Sequence, residues 1–546
     1  MKRYLFAAAA LLLAPIATAR AETVLNVGMA AADIGQIDPH RATSTQDKPV
    51  VSWMFNGLVR FKPGSASLEA LEPDLAESWE KSADGKTWIF HLRKGVKFHG
   101  DWGEMTAEDV VYSLKRAGDS KTSSFAADYS VMESIEAVDP YTVKIVLKKP
   151  IPALLGLVAN YHGGNIVSKK AAEALGADFR TKPVGTGPFQ VVDYKSNESL
   201  TFAANPAYFR GVPKIDKIVY RFIPADASRD LAFSSGELDI VYGRQDQRWV
   251  ERFSKEPNTV VEVVKPAELS ILHLNTTMKP LDDKRVRQAV AYAVDRAQIA
   301  GFKGASTAVP AISVVPSGYL GTDEQAKLYP HDIAKAKALL AEAGYPNGVT
   351  IKVIQTSLPT MLNSMQIVQS QLKKAGIDLQ LEVVDHQTFH ARIRKDESGA
   401  VYYAAARFPV ADVYLRQFFH SAATVGTPTA VTNFSHCAVA DKEIDAAAIE
   451  PDAAKQKDLW KVAQAKVIDD VCAVPLYEQL QVWARKTNVD YGYEFQGAIH
   501  LGPVVTERTN TKGVAWGVAA RHVSSSTRSR RARRSAAAPP PSSPAG

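Results

Sequence analysis

The run Thr350-Ile351-Lys352-Val353-Ile354, the stretch Asn363 to Ala375 with Gly376 behind it, and the run Asp378-Leu379-Gln380-Leu381-Glu382-Val383-Val384 together decide the class of fold. The outer two runs alternate apolar and polar residues and carry β-branched side chains, as strands do. The middle stretch spaces its apolar residues for a helix, and Gly376 is placed to end it. Strand, helix and strand in this order make a βαβ unit, whose two strands pair in parallel. The chain therefore holds an α/β lobe.

Upstream the helical texture continues. Val286, Val290, Ala293 and Ala297 fall on one helix face, and a second helix runs from about Asp332 through Leu339 and Leu340 to Gly344. Before about residue 280 the texture is different. Val24-Leu25-Asn26-Val27, Trp88 to Leu92, Val143 to Leu147, Leu200-Thr201-Phe202 and Ile218 to Ile223 read as strands of antiparallel type. Thr106, three residues before Asp109, is a candidate N-cap for a helix with an apolar face of Val110, Val111 and Leu114. A chain of 546 residues exceeds one hydrophobic core, so two or three domains are expected.

The two ends differ from the body. Lys2 and Arg3 precede an apolar run to Ala17, and Ala19-Arg20-Ala21 has the small-x-small pattern of a signal-peptidase site, with cleavage expected before Glu22. The run is too short for a permanent membrane anchor, and no cysteine lies near the cut for lipid attachment. Residues 528–546 are Ser/Arg-rich and then Ala/Pro-rich, the composition of a disordered extension. The net charge of +7 belongs to these ends: three basic residues in 1–21 and six in 521–546, with no acids, leave −2 for 22–520. A slightly acidic body is not the footprint of a nucleic-acid binder. Export permits a disulfide between Cys437 and Cys472; two separate buried thiols is the alternative.

Motifs of catalysis are missing. The sequence contains no HExxH, no GxxxxGK and no GxSxG. Gly185-Thr186-Gly187-Pro188 reads as a tight turn before a strand, not a nucleotide loop. His386 and His390, spaced i, i+4 beside Asp385, are half a metal site on a helix, or simply two solvated histidines. No catalytic residue, metal site or cofactor is assigned.

Several segments in order carry a resemblance. They are Ile37-Asp38-Pro39-His40, Met54-Phe55-Asn56-Gly57-Leu58, Leu92 to Gly100 (LRKGVKFHG) with Thr106 to Val110, Gly185 to Phe189, Asn205 to Gly211, Asp283 to Ala289, and Leu339 to Pro346. Together, from about Glu22 to Glu507, they resemble the family 5 extracellular solute-binding proteins, the cluster C binding proteins of bacterial ABC importers for peptides and nickel. The resemblance implies a two-lobed periplasmic binding protein fold of α/β class, with an extra subdomain in the first lobe and a hinge between lobes. Its expected divisions are a signal peptide (1–21), lobe I (22–55 and 165–265) with the extra subdomain (56–164), lobe II (266–480), a return to lobe I (481–520) and a tail (521–546). The crossings are expected around Pro266–Leu274 and Pro475–Trp483. The implied function is capture of di- or oligopeptides in an interlobe cleft and delivery to membrane permease subunits and their ATPases, by a periplasmic monomer without cofactor or nucleic acid. A nickel chelate or other small solute is the alternative ligand, and an exported hydrolase the rival class.

Peptide binders of this family hold the ligand ammonium with an aspartate, and the matching position is Asp412, which is also a candidate helix N-cap. The Trp and Asp-Pro of the family's segment are replaced here by Phe408 and Val413. Asp33 and Ile34 in the loop after the first strand, Tyr129, the Asn160-Tyr161-His162 turn, Tyr402, Tyr403, Arg407, Phe408, Tyr414, Phe434 and His436 complete the expected ligand neighbourhood, with Arg407 suited to a carboxylate.

Overall fold

The computed structural model describes residues 22–151, 154–426, 432–497 and 499–511. The expected leader (1–21) and tail (521–546) lie outside them. The first lobe opens on β1 (Val24–Met29) and α1 (Asp47–Met54). A four-stranded antiparallel sheet follows, ordered β2 (Ala76–Lys81), β3 (Thr87–Leu92), β5 (Thr142–Leu147), β4 (Met132–Asp139), and α2 (Ala107–Ala117) lies against it. The α2 start is the expected capping box: the Thr106 N–H donates to the Asp109 carboxylate at 3.0 Å.

The main sheet has nine strands among the described residues and runs through both lobes. On the first-lobe side β1 pairs in parallel with β8 (Lys217–Phe222) and β9 (Ile240–Tyr242), and β6 (Phe189–Lys195) and β7 (Ser199–Ala204) extend it outward. Trp53 of α1 anchors this core edge-on between Phe202 and Tyr220.

Two long antiparallel strands, β10 (Thr259–Leu274) and β15 (Ala473–Lys486), join the lobes. Thr259–Val264 pairs with Gln481–Lys486 beside β9; Glu268–His273 pairs with Ala473–Gln479 beside β11 (Ala308–Pro310) and β14 (Ala400–Ala405). The register breaks between Val264 and Glu268, so the ladder is interrupted where the chains pass from one lobe to the other. The two expected crossing segments lie in these strands.

The second lobe contains α3 (Lys284–Ala293), α4 (Ile333–Glu342), β12 (Val349–Thr356), α5 (Pro359–Lys374), β13 (Ile377–Val384), α6 (His386–Ile393), α7 (Ala411–Phe419) and α8 (Ala453–Asp470). β12 and β13 pair in parallel from Val349–Ile377 to Thr356–Val384, as the opening sequence requires. Two details differ from the sequence reading. α5 starts four residues before Asn363, because Pro359 takes the first helical turn where its missing N–H is harmless. α3 stops at Ala293, and Asp295 caps a new helix, so Ala297 belongs to the next element.

Cys437 and Cys472 are disulfide-bonded, with Cα atoms 5.7 Å apart. The bond ties the loop ahead of the helix Asp441–Ile449 to the residue just before β15. No helix among the described residues is long and apolar enough to cross a membrane.

Candidate functional site

The lobes meet at Phe408. It leaves β14 on a loop whose backbone is gripped by Tyr319: the hydroxyl donates to the Arg407 carbonyl at 2.8 Å and accepts the Arg407 N–H at 3.0 Å. The Phe408 ring packs against Phe61 and Tyr161 of the first lobe, each at 5.9 Å between centroids, and lies over Gly156 so closely that no Cβ would fit there. Beside this contact is a cavity of about 280 Å³. Asp128, Tyr129, Tyr161 and His162 form its first-lobe wall; Phe408, Asp412, Arg416 and Gln417 are on the facing wall.

Four charged side chains converge on the same seam. Lys48 is delivered by the first turn of α1. That turn is fixed because the Asp47 carboxylate accepts the Gly35 N–H at 2.8 Å and Tyr220 donates to the Gln46 carbonyl at 2.8 Å. Among the described residues the Lys48 ammonium meets the Tyr161 hydroxyl at 3.5 Å and lies 5.6 Å from the centre of that ring. Arg407 is held by Gln417 at 2.7 Å and the Ala406 carbonyl at 3.0 Å, with its guanidinium 5.1 Å from the Phe418 ring. Glu268 sits on β10 at the register break. Asp128 comes from the first lobe.

Three of the four feel others of the set. Burial pulls the Lys48 ammonium down to about 8, against the opposing field of Glu268. Burial pushes the Glu268 carboxyl up, against Lys48, Arg407 and Lys303. Burial likewise raises Asp128, against Arg407. Yet none of the four has an opposite charge within ion-pair distance among the described residues. All four are half-buried, and charges drawn out of water without direct partners are costly unless something binds to them. His162 and His500 complete the surroundings as neutral rings: burial holds His162 well below its usual range and His500 to about 3, with Lys48 adding to both.

The expected site residues divide into two groups. Tyr129, Arg407, Phe408 and Asp412 stand at the seam or line the cavity. Asp412 is not the N-cap of α7, which is Val410; it lies in the first turn, with one oxygen 3.5 Å from Arg416 and Oδ1 buried without a hydrogen bond. Tyr161 and His162 of the expected turn also line the cavity. The remaining residues lie elsewhere in the structure. Tyr402 faces the core by strand alternation, where its hydroxyl meets Tyr477 at 2.7 Å and Ser270 at 3.2 Å. Tyr414 is buried against Phe418 and Tyr319. Phe434 is buried in the second-lobe core, against Tyr403 and His273. Asp33 accepts from Tyr194 at 2.8 Å and Ser196 at 2.7 Å within the first lobe, and Ile34 packs on that lobe's core. His436 lies 2.9 Å from Asp396 in the second lobe. Lys48, Asp128 and Glu268 were missed. Glu268 had a signal, being a carboxylate in a segment expected to cross between lobes; Lys48 and Asp128 had none.

Two α/β lobes joined by paired strands, with charges from both lobes facing one seam, define a solute-binding protein. The chain belongs to a known family of these: the model described as "Bacterial extracellular solute-binding proteins, family 5 Middle" matches residues 70–425. Members serve ABC transporters as substrate-binding proteins. Glutathione-binding protein GsiB of Escherichia coli K12 is 29% identical over 511 residues, covering 89% of this chain and 96% of that one. MoaA of A. tumefaciens R10, solved in complex with mannopinic acid, is 49% identical with a TM-score of 0.81, covering 90% of this chain and all of that one. DppA of Helicobacter pylori, solved with the peptide STSA, is 28% identical with a TM-score of 0.76, covering 90% and 98%.

Proposed function

We propose that the chain is the periplasmic receptor of an ABC importer for a small organic acid that also carries a basic or hydroxylated part, of the kind mannopinic acid represents. The observation that carries this reading is the set of four half-buried charges without an ion-pair partner among the described residues: Lys48 and Arg407 for the acid group, Glu268 and Asp128 for the opposite end. The 49% identity to MoaA supports it. The lobes close on the ligand about β10 and β15, and the closed monomer presents it to the permease without chemical change. The cavity is at the small end of the range for ligand sites, which suits a compact solute.

A free dipeptide is the second reading, and the unpartnered Oδ1 of Asp412 favours it, since a buried acceptor facing the cavity fits an α-ammonium. Titration calorimetry with mannopinic acid, a dipeptide and nickel–histidine separates these. The first reading expects heat from mannopinic acid and affinity unaffected by Asp412→Asn. Heat from the dipeptide alone, lost in Asp412→Asn, establishes the second reading instead.

A further inference from the structure

We propose that His386 and His390 form a two-nitrogen chelate for a late first-row divalent transition metal, on the second lobe and apart from the interlobe cavity. The pair sits on α6, which is fixed from its first turn: the Asp385 carboxylate accepts the N–H groups of Gln387 at 3.0 Å and Thr388 at 2.9 Å. Positions i and i+4 bring both rings to one face of this helix. Their Nε2 atoms converge to 3.1 Å. Two imidazole nitrogens bound to one metal at roughly 2.0–2.1 Å, with angles between square and tetrahedral, stand about 2.9–3.4 Å apart. The pair is therefore already at chelating separation.

The outer partner is also in place. His386 Nδ1 is 3.1 Å from Thr356 Oγ1 at the end of β12, and that oxygen accepts the Leu358 N–H at 3.2 Å. Such a contact on the far nitrogen fixes ring orientation at metal-bound histidines. Both rings are half-buried, so one side is open to solvent. Among the described residues no third His, Cys, Asp or Glu completes a larger cluster, so water or a solute fills the remaining positions. An imidazole pair of this kind suits copper, nickel or zinc, whereas magnesium and calcium prefer oxygen.

The proton balance is simple. Without metal, one Nε2–H donates to the lone pair of the other Nε2. On binding, that proton moves to the Nδ1 of its own ring, and the metal takes both Nε2 lone pairs. His386 Nδ1–H then donates to Thr356 Oγ1. His390 Nδ1 is buried without a partner and stays so throughout.

The test is titration of the untagged protein with Cu(II), followed by calorimetry and electron paramagnetic resonance. One equivalent with a two-nitrogen spectrum is expected, weakened about tenfold or more in His386→Ala and His390→Leu. Equal copper affinity and an unchanged spectrum in the double variant overturn the site. Should a variant fail to fold, carbethoxylation of the wild-type protein decides: copper must protect His386 and His390 from modification, and equal modification with and without copper overturns the proposal.

Discussion

Lys48 and Glu268 are charged groups that the apo fold has no use for. Lys48 has a hydroxyl and an aromatic ring where an acid would be expected, and Glu268 has no cation within ion-pair distance among the described residues. Replacing an unpaired, half-buried charge by a neutral side chain of similar shape is neutral or stabilising, unlike breaking a formed pair. Lys48→Met and Glu268→Gln are therefore expected to leave the apo melting temperature unchanged or raised. Each should weaken mannopinic acid by about 1.5–3 kcal/mol, the worth of a hydrogen bond to a charged group. Scanning calorimetry and titration calorimetry on the two variants check both signs. The ammonium also sets a pH limit. Lys48 is held near 8, and an anion bound beside it raises that value, so affinity should fall as pH rises past about 8. This residue-level chemistry was nearly invisible in the sequence. Asp47-Lys48-Pro49 has no signature, and Tyr402 and Tyr403 are adjacent aromatics whose opposite destinies follow from strand alternation alone.

At the scale of elements, the recognisable motifs prove to be clamps. His40 of Ile37-Asp38-Pro39-His40 accepts from Arg116 of α2 at 2.8 Å on Nδ1 and donates to the Asn165 carbonyl at 3.0 Å. His99 of the LRKGVKFHG run donates to the Gly187 carbonyl at 3.0 Å, and its N–H reaches the Gly185 carbonyl at 2.9 Å. Gly185 and Gly187 press on the Met54 backbone at the end of α1 so tightly that a Cβ on either would collide with it. These contacts hold subdomain, turn and α1 together, which is why the family was legible and the ligand was not: the motifs encode how the lobe is held, and the proposed ligand partners lie outside them. Gly156 is a different case, because what lies over it is Phe408 of the other lobe. Gly156→Leu should keep the fold but prop the lobes apart, weakening ligand by about tenfold or more through the lost closed state; scattering should give a larger radius of gyration. The Cys437–Cys472 bond closes a 35-residue separation, and its reduction should lower stability by about 2–4 kcal/mol in urea unfolding.

For the molecule as a whole, the two-lobed plan was readable because periodicity changes near residue 280 and a βαβ unit follows. The register break in β10 was not, since a ladder's interruption depends on which strands become neighbours. The buried histidines set the pH range of the whole fold. Burial holds His40 and His99 to about 4, and His273 and His500 to about 3. These values lie below the unfolded value near 6.5, so the unfolded chain takes up protons first as pH falls. Stability should be fully present above about 6.5 and be lost progressively towards 4 for His40 and His99 and towards 3 for His273 and His500, by on the order of 3–5 kcal/mol for each ring. Urea midpoints at pH 7 and pH 4.5 measure this. The raised carboxyls of Asp47 and Glu268 offset a part of it, because they gain protons earlier in the folded state.

The claim on which the rest depends is that the seam between the lobes receives an acid at Lys48 and Arg407. A crystal structure of the protein with mannopinic acid tests it most directly. The account predicts closed lobes, with the acid group within hydrogen-bond distance of Lys48 Nζ and the Arg407 guanidinium and the rest of the ligand reaching Glu268 or Asp128. A ligand bound elsewhere, with these four charges still apart and unpaired, would contradict it.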